Sequence, residues 1–101
     1  MFNRNKKKLK RLKEVHLKFM MHKSEFSMDY IASKENEITM VEWLIAYYEG
    51  RAASTPKKLL ETYIRDSGFY NNTFSIKEYE RHCKCISVLY HWIYKDEIVG
   101  F

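Results

Sequence analysis

The chain has 101 residues, with 18 Lys and Arg against 13 Asp and Glu, for a formal charge of +5. A chain of this length forms one domain with its own core and needs neither metal nor disulfide to close it. Three glycines and one proline are too few for the turns of a barrel or sandwich, so the composition predicts a mainly α fold, a single compact bundle of about four helices.

The charge is concentrated at the start. Residues 1–13 carry seven basic side chains (Arg4, Lys6, Lys7, Lys8, Lys10, Arg11 and Lys13) and no acid, whereas the remainder is close to neutral. Residues 1–8 read as a basic arm and 9–101 as a single helical domain. From Leu9 a helical period begins: Leu9, Leu12, Val15, His16, Phe19 and Met20 share one side, which predicts a helix over about 5–22. Leu17 and Met21 fall on the far side, beside Lys6 and Lys10, as a core boundary or a contact surface.

Residues 23–38 have the weakest pattern. Phe26, Met28, Tyr30 and Ile31 alternate like a short strand or an irregular helical turn, and 33–37 read as an exposed polar loop. A second helix is expected over 39–49. Thr39 and Glu42 have the spacing of a capping box, and Gly50 suits the left-handed position after a helix. Met40, Val41, Leu44, Ile45 and Tyr48 form its apolar face. Trp43 and Tyr47 extend that surface, with only Glu42 and Glu49 on a wet edge, so this helix is expected to be central.

Thr55 followed by Pro56 predicts the start of a third helix over about 56–66, stopped at Gly68. Residues 69–74 read as a tiny hairpin around Asn71-Asn72 or as a tight loop. Ser75 and Glu78 form a second capping box that opens a helix over about 76–95. Its expected inward stripe is Ile76, Tyr79, Cys83, Ile86, Tyr90 and Ile93. The end, 98–101, is apolar enough to dock or to form a short strand.

Basic residues in register with aromatics direct the functional reading. The seven N-terminal cations can neutralise phosphates and release counterions; a solvated, solubilising terminus is the competing reading. On the last helix Lys77, Arg81, Lys84, His91 and Lys95 share a face opposite the expected core stripe, with Val88 and Trp92 among them, a pattern that can contact a base or a protein partner; the competing reading is an ordinary exposed face with Trp92 packed under the N-terminal helix or a loop. The second and third helices resemble a helix-turn-helix in outline, with Lys58, Thr62 and Arg65 outward. The connection is long for that motif, and Glu61 and Asp66 would repel phosphate.

His82-Cys83-Lys84-Cys85 does not read as a metal site. Two cysteines two residues apart on a helix point about 200° apart, and no second cysteine pair exists. No glycine-rich phosphate loop, nucleophile motif or apolar carboxylate pair supports catalysis, and no cofactor is implied. Reduced cysteines and the lack of a membrane-length apolar run suggest a cytoplasmic protein with no membrane partner.

The expectation is a small non-enzymatic protein that binds DNA or RNA through Arg4, Lys6, Lys7, Lys8, Lys10, Arg11 and Lys13, supplemented by Lys58, Arg65, Lys77, Arg81, Lys84 and Lys95. The alternative is a protein-binding inhibitor or adaptor, of the kind a phage or mobile element directs at a host nucleic-acid or defence complex, anchored by Trp92, Trp43 and Val88. High aromatic content and the residue bias of an A+T-rich genome suit the alternative. A homo-oligomer packing through surplus apolar surface comes third.

Overall fold

The computed structural model describes the backbone of residues 2–70 and 73–101 and the side chains of 4–70 and 73–101. The protein is mainly α. Its described residues contain helices α1 (Phe2–Met21), α2 (Met28–Tyr48), α3 (Pro56–Ser67) and α4 (Ile76–Lys95), and a 3₁₀ turn at Lys23–Glu25. No described residue lies in a strand, so the small β element expected near 69–74 or 98–101 is not found there; the turn at Asn71-Asn72 falls outside the described residues. The chain divides into two units: residues 1–53 with Phe101, and residues 54–100.

In the first unit, α1 is helical from Phe2, so the residues expected as an arm continue the helix rather than precede it. The larger correction is at α2, which starts at Met28, far upstream of the expected Thr39. Ser27 is the true N-cap: its side chain accepts from the Tyr30 backbone N–H at 3.1 Å, and Asp29 in the first turn complements the helix dipole. Thr39 lies inside the helix, where its hydroxyl donates to the Glu35 carbonyl at 2.9 Å, the usual fate of a mid-helix threonine. Residues 33–37 are helix and not loop. Ala32, Lys34, Glu35 and Glu37 are all good helix formers, and nothing between Ser27 and Gly50 breaks the helix.

The end of α2 follows expectation. The Gly50 N–H donates to the Tyr47 carbonyl at 3.0 Å and the Arg51 N–H to that of Ala46 at 2.9 Å, the two bonds of a Schellman motif. Gly50 has φ 78°, and a Cβ there would meet nothing within 4 Å, so the glycine serves the backbone angle and not a close approach.

Helices α1 and α2 pack together and run antiparallel, since Lys13 pairs with Glu49 and His16 with Glu42. The buried apolar residues are Leu12 and Phe19 from α1 and Ile38, Met40, Val41, Leu44 and Ile45 from α2. Burying Leu12, Val41 and Leu44 stabilises by about 1.5–3 kcal/mol each, as an upper estimate. Met20, expected in the stripe of α1, is exposed.

In the second unit, α3 and α4 pack as a pair. Both begin as expected. Thr55 accepts from the Lys58 N–H at 3.3 Å, and Ser75 accepts from the Glu78 N–H at 3.2 Å. Gly68, with φ 66°, ends α3. The inward face of α4 is the second correction. Cys85, Val88, Leu89 and Trp92 are buried, whereas Ile76 is 80% exposed and Tyr79 and Tyr90 are also exposed. At about 100° per residue the buried face lies about 140° around the helix from the expected stripe. Tyrosines can keep a hydroxyl in water, so their spacing is a weaker mark of an inward face than that of wholly apolar side chains.

Candidate nucleic-acid interface

Helix α1 displays its cations in two rows about 130° apart around its axis. Lys6, Lys10 and Lys13 follow one another at i, i+4 and i+7, and Arg4, Lys7 and Arg11 at i, i+3 and i+7. Arg4, Lys6, Lys7, Lys10 and Lys13 are exposed, whereas Lys8 and Arg11 are half-buried. From Arg4 to Lys13 the cations span about 14 Å of helix axis. The first turn contains no acid, and Glu14 is the first carboxylate in the chain. Positive side chains thus crowd the positive end of the helix dipole, an arrangement that is locally unfavourable and that an anion relieves.

Lys13 is committed elsewhere: its Nζ lies 2.8 Å from Glu49 Oε2. Arg51 reaches the other oxygen of the same carboxylate, with Nη2 2.6 Å from Oε1. The hydrogen bond from Lys13, and then that from Arg51, hold the Glu49 carboxyl below its ordinary pKa.

Beside these charges lies an open groove of about 630 Å³ between α1 and α2. Lys13, His16 and Leu17 line it from α1, and Glu42 and Trp43 from α2. Trp43 is 41% exposed and Leu17 59%, and His16 Nε2 is 3.5 Å from Glu42 Oε2. A shallower depression along α1, lined by Lys6, Lys10 and Glu14, shares Lys13 and Leu17 with the groove, so the two are continuous. His16 and Arg51 were not among the expected site residues. The off-stripe Leu17 was the available signal for this surface.

The second unit carries its own cations. Lys58, Lys77, Arg81, Lys84 and Lys95 are exposed. Arg65 is exposed too, but its Nε donates to Asp66 Oδ1 at 3.1 Å. Val88 and Trp92 do not stand among these cations as an exposed anchor: Trp92 is 2% exposed, and the row through Lys77, Arg81 and Lys84 turns inward at Val88. The helix-turn-helix outline also loses force, because α2 and α3 belong to different units.

Cys85 is the buried thiol and Cys83 the half-buried one, the reverse of the expected order. Tyr63 shares a 2.7 Å hydrogen bond with His82 Nδ1. Burial, followed by a hydrogen bond with Cys85, pushes the Tyr63 phenol well above its ordinary pKa, so it stays protonated. Among the described residues no group of three or more His, Cys, Asp or Glu could hold a metal, and no helix is long and apolar enough to cross a membrane.

These features define an all-α protein of two helical pairs with a basic leading helix. Comparison with protein-family models, curated proteins and solved structures gives no match.

Proposed function

We propose that the protein binds nucleic acid non-enzymatically, with α1 as a rigid basic helix that contacts phosphates. The observation that carries this reading is the exposure of Arg4, Lys6, Lys7 and Lys10 on one helix whose first turn has no acid. Lys13 is already neutralised by Glu49. Four engaged cations correspond to a slope of log K against log salt of about −3.6 on a duplex and about −2.8 on a single strand. That neither Cys83 nor Cys85 is in a disulfide suits a reducing cytoplasm, where nucleic acid is at hand.

The protein-binding alternative has weaker support. Two of its three anchors, Trp92 and Val88, are buried, and the third, Trp43, shares a groove with Lys13 and Arg51.

Fluorescence anisotropy with labelled DNA at a series of salt concentrations tests the proposal. Combined Arg4→Ala, Lys6→Ala, Lys7→Ala and Lys10→Ala substitutions keep strong helix formers in α1 and should abolish most binding while helicity is retained. No binding at low salt, or binding indifferent to the four substitutions, overturns the reading.

A further inference from the structure

We propose that the ligand is single-stranded nucleic acid, its backbone following Lys6 and Lys10 along α1 and one base stacked on Trp43 in the groove. This rests on the phosphate-binding reading of α1 and narrows the class of nucleic acid.

A partly exposed tryptophan ring beside a basic track is what a strand with free bases can use. Every base has a π-face, so stacking tolerates any sequence. In a duplex the bases are stacked on one another and cannot enter a side groove without being flipped out. The groove is continuous with the row of Lys6 and Lys10 through Lys13 and Leu17, so one strand can lie on both. Leu17, 59% exposed, adds an apolar contact next to the ring.

The charges in the groove agree with a base there and phosphates beyond it. Glu42 is paired with His16, and Glu49 with Lys13 and Arg51. These pairs leave the groove nearly neutral, whereas Arg4, Lys6, Lys7 and Lys10 stand exposed farther along α1. An acidic amphipathic peptide would meet the same cations but has no base to stack.

The test uses the full chain with oligo(dT), a duplex, and poly-L-glutamate as a polyanion without bases. Trp92 is buried and Trp43 exposed, so quenching of tryptophan fluorescence reports mainly on Trp43. Oligo(dT) should quench and bind more tightly than the duplex. Trp43→Ala should weaken oligo(dT) binding by roughly 5- to 150-fold, leaving duplex affinity and the salt slope unchanged. Trp43→Phe, which keeps an aromatic face if the alanine variant loses helicity, should recover most of the affinity without the quenching. Equal affinity for both nucleic acids with no effect of Trp43→Ala overturns the proposal but leaves α1 as a phosphate-binding helix. So does quenching by poly-L-glutamate as strong as that by oligo(dT). Absence of binding to either nucleic acid removes both readings.

Discussion

The ammonium of Lys13 lies 2.8 Å from the carboxylate of Glu49, tying the middle of α1 to the end of α2 and withdrawing one cation from the basic helix. Because the folded-state pKa of Glu49 is depressed, these ion pairs stabilise the hairpin fully above the ordinary carboxylate range. Their contribution fades as pH falls through the depressed value. Urea midpoints measured against pH should show this acid-side loss, and Glu49→Gln should remove it while lowering the midpoint slightly at neutral pH. The same variant releases Lys13 and Arg51. DNA binding should then tighten at low salt, with the salt slope steeper by about 1–2. An unchanged slope would mean that neither cation reaches phosphate.

Ser27 and Thr39 make opposite predictions. Ser27 caps α2, so Ser27→Ala should cost about 1 kcal/mol in chemical denaturation. Thr39 sits mid-helix with its hydroxyl turned back on Glu35, so Thr39→Ala should be neutral or slightly stabilising, alanine being the better helix former. The two boundaries of α2 differed in how readable they were. Gly50 announces an end because only its φ is easy there. Thr39 and Glu42 had the spacing of a start, but spacing alone does not exclude an upstream cap. Here Ser27, with an acid two residues later, supplies one. The alternation of Phe26, Met28 and Tyr30 concealed it, because those side chains lie across a helix entry and not along a strand.

Helix α4 allows a direct check of its buried face. Leu89→Ala should cost about 2–5 kcal/mol and Ile76→Ala close to nothing, since Leu89 is fully buried and Ile76 is 80% exposed. The reverse result would restore the tyrosine-rich stripe as the inward face. The range of α4 was legible from Ser75 and Lys95, but its rotation was not. Apolar residues occupy two stripes, and only packing chooses between them. The same ambiguity put Trp92 on the wrong side of the candidate site. The cations of α1 were legible because a run of lysines with no acid has one electrostatic meaning wherever it folds. The groove beside Trp43 needed the pairing of α1 with α2, which no local pattern encodes.

Glu37 is the buried charge of the described structure, 3% exposed. Its Oε2 is 3.5 Å from Lys34 Nζ, and Oε1 has no hydrogen-bond partner among the described residues. The Lys34 ammonium also lies over the rings of Tyr30 and Phe101, at 5.7 and 5.9 Å from their centroids, which holds it near the carboxylate. Lys34→Met keeps the apolar stem and removes the charge. It should destabilise by about 3 kcal/mol, because a buried carboxylate is left without its counter-charge. Replacing both residues, Lys34→Met with Glu37→Leu, removes the two desolvated charges together and should return stability to the wild-type value or above it, by about 1–4 kcal/mol. Denaturation of the two variants and of Glu37→Leu alone completes a double-mutant cycle. A coupling energy near zero would show that Lys34 contributes nothing to holding Glu37 in place, and that the half-satisfied carboxylate is tolerated for a reason outside this pair.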